Sequence, residues 1–495
     1  MKRALAYRPR FNAPPRPSAS QPAPGRRPRT TVSSGIWWFL GAVLLFVAVA
    51  RTVQGQARGT GKREAFEPAL AVATADSAWS KVAQSYYDTT FRGHDWDAVR
   101  RELRTASARA RTMADVRLAI GAMFARLGES HFALIPAEAA AGWDEPQAEQ
   151  ESLGDVGLEF RLLDGVVVVS RVAEGSSAAQ SGVHAGWTLE RLGELDVAPF
   201  VRDRLQVGDV RARRLAALQL PLALISRSQG AVGSVVPLVL RDGDGDVRRV
   251  KLRRQTVDAD LVRYGHMPPL FVRFESTRRV GEEGEGCVGM LRFNVWMTPI
   301  MPRMDDAMVA FRECRGVVMD LRGNVGGVAA MVMGMGGYFL DSTASFGTMT
   351  MRGGALRYVS NPRRSDRAGN ALPPFGGTLA ILVDDLSVST SEIFAAGLQA
   401  MGRARVFGDR TAGQALPSML TRLPNGDVMQ YVVADFTAPD GRRLEARGVA
   451  PDELLPLRRG ALLEGRDEAL EAALRWINGA ASAVSDAGRG GKGRR

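Results

Sequence analysis

The stretch TLAILVDDLSVSTSEIFAAGLQAMGRARVFGDRTAGQ, residues 378–414, decides the fold of this chain. It predicts a buried strand over residues 378–383, a tight polar turn over residues 387–390, and a helix immediately after the turn. A serine on such a turn lies at a helix N-terminus, where backbone N–H groups favour the negative charge of an acyl-transfer transition state. We therefore expect Ser389 to be a nucleophile, and Glu392 in the first helical turn to support the helix dipole.

The sequence of residues 383–413 resembles the nucleophile block of the C-terminal processing peptidases, serine peptidase family S41. In that family the middle serine of a small-residue run attacks the peptide bond, and a lysine farther along the chain is the base. The matching position here holds Gln414, whose carboxamide cannot accept a proton near neutral pH. The lysines of this chain are at positions 2, 62, 81, 251 and 492, outside the predicted core. The sequence therefore predicts either a different base or an inactive enzyme.

A second branch of the family, similar to the tricorn core protease, takes its base from a histidine in an N-terminal helical region. Residues 127–132, LGESHF, resemble its serine–histidine motif, and residues 444–452, LEARGVAPD, resemble its closing block. The resemblance implies a triad of Ser389, His131 and Glu445, to which Ser130 adds a polar contact. In such a triad the neutral imidazole takes the hydroxyl proton, and the carboxylate fixes the tautomer and stabilises the imidazolium.

The oxyanion of an acyl-transfer intermediate needs backbone N–H donors close to the nucleophile. One donor is expected to be the N–H of Thr390, the residue after Ser389. The other is expected from Gly326 or Gly327, because the apolar stretch VVMDLRGNVGG at residues 317–327 predicts a strand that runs into a glycine-rich turn.

The remaining histidines and the cysteines are expected to have structural roles. His94, His184 and His266 lie in turn-like contexts and are expected at the surface. The spacing of histidines and cysteines matches no metal-binding motif, so no metal site is predicted. Cys287 and Cys314 each precede an apolar strand, and they are expected either to form a disulfide or to stay as buried thiols.

The first 63 residues carry the whole net charge. They contain twelve Lys or Arg residues and no Asp or Glu, so the rest of the chain is balanced, with 53 basic and 53 acidic residues. Because the positive and negative charges of residues 64–495 balance, the sequence argues against nucleic-acid binding by this part of the chain. Residues 1–34 predict a basic, proline-rich cytosolic tail, and residues 35–52 predict an apolar membrane anchor with everything after it exported. The alternative is a signal peptide cleaved after Ala48-Val49-Ala50.

The exported part is expected to begin with a linker at residues 53–69. Helical periodicity then predicts an N-terminal cap at residues 70–147, which carries the His131 motif. Short strands with turns predict a β-rich domain at residues 148–255 that resembles a PDZ domain. Its peptide-binding loop is expected at Gly154, Val156, Gly157 and Leu158. Strands that alternate with helices predict a catalytic core at residues 256–479, followed by a disordered basic tail at residues 480–495.

These patterns predict an α/β fold with a mixed, partly parallel sheet core, an N-terminal helical cap, an inserted PDZ-like domain and an N-terminal transmembrane segment. The resemblance implies a serine endopeptidase that needs no cofactor and cleaves unfolded or C-terminally exposed polypeptides. It is expected as a single-pass protein of the inner membrane, with its catalytic part in the periplasm or outside. An inactive homologue that binds peptides as a scaffold is the alternative, and residue roles alone also leave open a non-peptide ester or amide substrate.

Overall fold

The structure is a computed structural model and describes residues 66–140, 153–206, 210–263, 265–267, 269–281 and 286–490. The predicted basic tail, the apolar segment and most of the linker lie outside these residues. Within the described part of the chain, no helix is long and apolar enough to cross a lipid bilayer.

The N-terminal cap is helical, as predicted. It contains α1 (Pro68–Ser85), α2 (Trp96–Arg109), α3 (Met113–Leu127), the short strand β1 (Ala133–Ile135) and α4 (Ala137–Ala140). The Asp95 carboxylate caps α2, and Thr112 and Asp115 form a capping box on α3. Gly128 ends α3 in the left-handed conformation, with φ at 61°. That turn delivers the chain to Ser130 and His131.

The β-rich domain follows the cap. It contains β2 (Leu153–Gly154), β3 (Leu158–Leu163), β4 (Val166–Val172), α5 (Ser177–Gln180), β5 (Thr188–Leu192), β6 (Leu195–Asp196), α6 (Val197–Leu205), α7 (Val210–Ser228), β7 (Gly230–Ala231), β8 (Val235–Arg241) and β9 (Val247–Arg253). Its main sheet is antiparallel, in the order β3-β4-β5-β8-β9. Phe160, Leu224 and Leu238 lie in the apolar core between this sheet and its helices. The long helix α7 therefore lies against the sheet.

The core alternates strands and helices. Its elements are β10 (Asp260–Val262), β11 (Leu270–Val272), β12 (Phe274–Val280), β13 (Cys287–Phe293), α8 (Ile300–Phe311), β14 (Gly316–Asp320), α9 (Met331–Gly336), β15 (Ala344–Met351), β16 (Gly354–Ser360), β17 (Thr378–Val383), α10 (Thr390–Ala400), β18 (Arg405–Gly408), β19 (Ser418–Arg422), β20 (Val428–Val432), β21 (Ala434–Thr437), β22 (Glu453–Leu454), α11 (Arg459–Leu463) and α12 (Glu468–Gly490). The mixed α/β prediction is confirmed.

The main sheet of the core runs β12-β13-β14-β17-β18-β22, with β12 antiparallel and the other pairs parallel. Both faces are covered, as parallel strands require. Val318 and Leu382 pack towards Ile477 of α12 on one face, whereas Met319 and Phe394 belong to the large core cluster on the other. Successive strands therefore end at one edge, where an active site is expected.

The C-terminal helix corrects one boundary. The sequence predicts a disordered tail from residue 480, but α12 continues to Gly490, so that prediction is wrong up to this residue. Ala469, Ala473 and Ile477 are buried against the main sheet, which fixes the first turns of the helix. Once a helix is nucleated, each further residue adds a hydrogen bond, and the alanine-rich sequence favours propagation.

The cysteines form a disulfide between Cys287 and Cys314. Cys287 opens β13, and Cys314 lies just before the neighbouring parallel strand β14. Of the two expectations, the disulfide is the one that the structure contains, and it ties together the starts of two central strands.

Candidate active site

A strained turn holds Ser389 at the start of α10. Ser389 has φ at 57° and ψ at −112°, a backbone conformation that residues other than glycine rarely adopt. The backbone N–H of Ser389 donates to Oε2 of Glu392 (3.0 Å). This hydrogen bond closes the turn, which places the Ser389 side chain at the helix N-terminus.

The two neighbouring serines are occupied by structural hydrogen bonds. The Ser387 hydroxyl donates to the carbonyl of Leu321 (2.9 Å), and the Ser391 hydroxyl donates to the carbonyl of Asn324 (3.0 Å). Both serines are fully buried. Among the three serines, Ser389 is therefore the one whose hydroxyl does not donate to the backbone near the glycine-rich turn.

The glycine-rich turn after β14 packs directly on the Ser389 turn. The N–H of Val388 donates to the carbonyl of Asn324 (3.0 Å), and the Thr390 hydroxyl donates to the carbonyl of Gly327 (3.0 Å). A Cβ atom at Gly326 would lie 2.8 Å from the Ser389 Cβ. Glycine is required at this position because the two turns approach too closely for any side chain.

The two glycines that were expected as oxyanion donors differ in their hydrogen bonds. The N–H of Gly326 donates to Oδ1 of Asn324 (3.0 Å). The N–H groups of Gly327 and Thr390 have no hydrogen-bond acceptor among the described residues. Gly327 and Thr390 therefore keep backbone donors available beside Ser389, whereas Gly326 supplies the clearance.

A second set of residues forms a hydrogen-bonded relay. The Glu445 carboxylate accepts from the backbone N–H of Ser130 (2.8 Å) and from the Ser130 hydroxyl (2.8 Å). The same hydroxyl lies 2.6 Å from Nδ1 of His131. Ser130 thus stands between the carboxylate and the imidazole, so Glu445 acts on His131 through a hydroxyl.

This arrangement determines the tautomer of His131. A hydroxyl can donate only one hydrogen bond, and the Ser130 hydroxyl donates it to the Glu445 carboxylate, which can only accept. The Ser130 oxygen then accepts the Nδ1–H of His131, which leaves Nε2 with its lone pair. Burial lowers the pKa of His131 to about 3, so the imidazole is neutral at ordinary pH. Burial also raises the pKa of the Glu445 carboxyl.

The segment from Gly413 to Ala415 connects the serine turn with the relay. The N–H of Gln414 donates to Oε2 of Glu392 (2.9 Å), the atom that also accepts from Ser389. The N–H of Ala415 donates to Oε2 of Glu445 (3.2 Å). Nε2 of His131 is buried and has no hydrogen-bond partner among the described residues, so its bond to Ser389 is not formed in this structure.

The other histidines are placed as predicted. His94, His184 and His266 are exposed, whereas His131 is buried. No group of potential ligand side chains in the described residues could hold a metal ion. Among the histidines, His131 alone shares a hydrogen-bonded network with a buried carboxylate at this site.

Two protein-family models match parts of this chain. The sequence model of peptidase family S41 matches residues 287–455, and the model of the tricorn protease C1 domain matches residues 76–125. Residues 287–455 of the chain are thus similar to the peptidases of family S41. On this similarity the chain is a serine-type peptidase.

Relatives of this chain include a carboxyl-terminal-processing protease of Picosynechococcus, 26% identical over 77% of this chain and 82% of the relative. Carboxyl-terminal-processing peptidase 3 of Arabidopsis thaliana, a chloroplastic protein, is 25% identical over 76% of this chain and 67% of that protein. The solved structure of the photosystem II D1 C-terminal processing protease has a TM-score of 0.52 at 22% identity, covering 81% of this chain and 98% of that one. That structure shares the fold.

Sequence reasoning missed the role of Glu129 in this peptidase. Its carboxylate is buried and accepts from the hydroxyls of Tyr86 and Tyr87 (2.6 Å each) and from Nη2 of Arg443 (2.7 Å). Burial, followed by the hydrogen bond to Glu129, raises the pKa of both tyrosines. Glu129 precedes Ser130, so the network anchors the relay to the core. Its position next to the motif was the available signal.

Glu392 does more than the predicted support of the helix dipole. It is fully buried, and its two oxygens accept from three backbone N–H groups and from the Thr411 hydroxyl. Burial raises its pKa to about 7, against these hydrogen bonds. Glu392 therefore holds the Ser389 turn against the segment that leads to the relay.

A groove opens between β3 and α7 of the β-rich domain. Its cavity of about 180 Å³ is lined by Leu158 and by Leu222 and Ile225 of α7, and it reaches Val325 of the glycine-rich turn. Of the predicted loop residues, Leu158 lines the cavity. The Val156 side chain is buried in the domain core, Gly157 packs against Ser176, and Gly154 pairs with β7.

Arg161 links this groove domain to the active site. Its guanidinium is buried, and Nε donates to Oδ2 of Asp384 (2.8 Å), while Oδ1 of Asp384 accepts from the N–H of Gly323 (2.9 Å). Asp384 begins the Ser389 turn, and Gly323 begins the glycine-rich turn. Strand β3 is therefore coupled through one ion pair to both turns of the site.

Proposed function

We propose that this chain is an exported serine endopeptidase that cleaves unfolded or C-terminally exposed polypeptides, with Ser389 as nucleophile and His131 as base. The observation that carries the proposal is the hydrogen-bonded relay from Glu445 through Ser130 to His131, which leaves Nε2 as a buried acceptor. A neutral imidazole with a fixed tautomer is the base that a serine nucleophile needs. The Gln414 substitution removes the lysine route and leaves this one intact.

The chemistry follows from these positions. His131 takes the proton of the Ser389 hydroxyl as Oγ attacks the substrate carbonyl carbon. The N–H groups of Thr390 and Gly327 bind the oxyanion of the tetrahedral intermediate. The imidazolium then gives its proton to the leaving amine, and water hydrolyses the acyl-enzyme by the same base. No cofactor enters any of these steps.

The groove between β3 and α7 is proposed to capture the polypeptide tail. Leu158, Leu222 and Ile225 form an apolar part of its wall, beside charged residues such as Arg171 and Glu275, and this part suits an apolar extended segment that adds to the free edge of β3. Two of the relatives are named as carboxyl-terminal-processing enzymes, which supports C-terminal tails as substrates. A tail held in the groove raises the local concentration of the cleavage site.

The location proposed for this activity is the outer side of the inner membrane. The basic residues before position 35 and the apolar run after it support an anchor with the peptidase exported, and removal as a signal peptide is the competing outcome. The disulfide between Cys287 and Cys314 is compatible with an oxidising compartment.

An inactive, peptide-binding homologue is the second candidate function. Two observations favour it: Gln414 stands at the lysine position of the motif, and the hydrogen bond between His131 and Ser389 is not formed. Unformed catalytic hydrogen bonds are also common in unliganded enzymes, where substrate completes them. The two functions therefore differ in turnover and agree in peptide binding.

The test is cleavage of an unfolded protein with an apolar C-terminus by the purified full-length chain. We expect Ser389→Ala and His131→Ala to lower kcat/KM by about 10⁴-fold or more, and Gln414→Ala to stay within about threefold of the wild type. Circular dichroism checks that each variant is folded. A wild type that binds the tail peptide and cleaves nothing would establish the scaffold instead.

A further inference from the structure

An arginine-lined cavity lies beside the relay. It has a volume of about 410 Å³ and is lined by Arg214, Arg410, Arg442, Arg443 and Arg447, together with Leu444, Ala446 and Gly448. No acidic residue is among these lining residues. A concave site of this size with charge of one sign attracts ligands of the opposite charge.

The charges of two of these arginines are compensated. Arg442 pairs with Asp440 at 2.5 Å, and Arg443 pairs with Asp435 at 2.7 Å and with Glu129 at 2.7 Å. Their guanidinium groups are therefore held in place and add little net charge to the cavity.

The other three arginines have no such compensation. Nη2 of Arg214 donates to the carbonyl of Thr411 (3.4 Å), and Nη1 of Arg410 donates to the carbonyl of Arg447 (3.2 Å). Arg214, Arg410 and Arg447 have no carboxylate within 4.0 Å in the part of the chain that the structure describes. Three positive charges therefore face one cavity, with donors left over for an anion.

The cavity lies where a substrate chain is expected to pass. Arg447 follows Glu445 by two positions, and its backbone packs on Gly413, beside Gln414. Arg410 precedes Thr411, whose hydroxyl donates to Glu392. Arg214 belongs to α7, the helix whose later turns line the groove. The cavity thus joins the groove helix to the two loops that hold the relay.

We propose that this cavity binds carboxylate groups of the polypeptide substrate, so that the peptidase selects acidic residues, or a free C-terminus, on the segment beside the cleavage site. The inference rests on the proposed function, because it names the substrate class of the same site. A carboxylate accepts two parallel hydrogen bonds from a guanidinium, which matches the planar donors that Arg410 and Arg447 leave unused.

The test measures binding separately from cleavage. Full-length Ser389→Ala protein is titrated with fluorescent unfolded peptides that carry either glutamates or glutamines at the same positions, each with a free or an amidated C-terminus. We expect the glutamate peptides to bind about fivefold more tightly at low salt, and Arg410→Gln/Arg447→Gln to bring that ratio to about one. The double variant Arg249→Gln/Arg279→Gln removes two exposed arginines that do not line the cavity, and it should keep the ratio.

The peptide pairs identify the source of the carboxylate. If amidation alone abolishes the preference, the C-terminus is the ligand, and if the glutamines abolish it, the side chains are. The basic N-terminal tail is present in every variant, so its contribution cancels. Equal binding of all peptides, binding of none, or loss of the preference in the Arg249/Arg279 control would overturn the inference. Arginine-dependent binding without any cleavage by the wild type would sustain it and remove the peptidase proposal.

Discussion

The serine turn and the relay are the two halves of the candidate site, and they are built in different ways. The serine turn lies between consecutive elements of the main sheet, with Ser387, Ser391 and Glu392 bonded to nearby backbone. Ser130 and His131 come from the helical cap and are held by side chains of the core, such as Glu445. The serine turn is held by hydrogen bonds to backbone groups at the ends of neighbouring strands, whereas the relay depends on side-chain contacts between the cap and the core.

This difference indicates where the site is vulnerable. The serine turn is supported by buried hydrogen bonds from several backbone groups, so the loss of one leaves others. The cap packs on the core through apolar side chains and through the pairing of β1 with β20, and the buried Asp427 accepts from Arg117 at 2.7 Å and 2.9 Å. The bond that would unite the halves, from Ser389 to Nε2 of His131, is the one not formed.

Among changes to the carboxylates that support the two halves, the largest effect is expected from breaking the relay with Glu445→Gln. The amide would place N–H donors opposite the N–H of Ser130 or of Ala415, so the Ser130 hydroxyl would no longer be fixed as a donor to residue 445. His131 could then protonate Nε2 and lose its lone pair there. We expect kcat/KM for an unfolded protein to fall by about 10²–10⁴-fold.

The matched control for this variant is Glu453→Gln, because that glutamate is partly exposed on β22 and pairs with Arg405 away from the site. It should change kcat/KM by less than about twofold, since a surface ion pair contributes little. If Glu445→Gln kept more than about a tenth of the wild-type kcat/KM, the relay would not orient the base.

A smaller effect is expected from Glu392→Gln, which acts on the other half. The amide cannot accept all four hydrogen bonds that the carboxylate accepts, so at least one backbone N–H loses its partner. We expect kcat to fall by about 10–100-fold and the free energy of unfolding to fall by about 1–3 kcal/mol. Denaturant unfolding and steady-state kinetics measure the two quantities.

Glu471→Gln serves as the control for Glu392→Gln. Glu471 is a partly exposed residue of α12, and its ion pair with Arg475 is long, at 3.9 Å. A folded Glu392→Gln protein with wild-type kcat would show that the Ser389 turn holds its conformation without this carboxylate. The remaining hydrogen bonds of Ser387 and Ser391 would then be enough to hold the serine turn.

The same division explains what the sequence could predict. The strand at Thr378–Val383, the turn and the following helix were predictable because apolar periodicity and turn residues are local signals. The candidates His131 and Glu445 came from a resemblance, since no local pattern brings residues so far apart in the chain together. Their hydrogen bonds to Ser130 are consistent with that prediction.

Other features were beyond sequence reasoning for physical reasons. Glu129 and Arg161 look like ordinary surface charges in the sequence, and their burial depends on partners from distant segments. The glycine-rich turn predicted two equivalent donors, and only the side chain of Asn324 distinguishes Gly326 from Gly327. The tail from residue 480 was predicted as disordered from its composition, yet packing of the preceding turns continues the helix.

The smallest expected effect concerns the proton on His131. Folded His131 holds a proton only below about pH 3, because burial lowers its pKa to about 3. The unfolded side chain is protonated below about pH 6.5. Between these values the unfolded state binds more protons, so the contribution of His131 to the free energy of unfolding is present above the unfolded pKa and is lost as the pH falls. The expected loss is about 1 kcal/mol per pH unit.

The measurement is denaturant unfolding of the wild type and of His131→Gln between pH 7.5 and pH 5. Glutamine does not titrate, while Glu392 and Glu445 are common to both chains, so the difference between the two free energies isolates His131. That difference should decrease as the pH falls through about 6.5. A constant difference would mean that His131 is protonated as readily in the folded chain as in the unfolded one. Below about pH 6.5 the relay would then hold an imidazolium, which cannot accept the proton of Ser389.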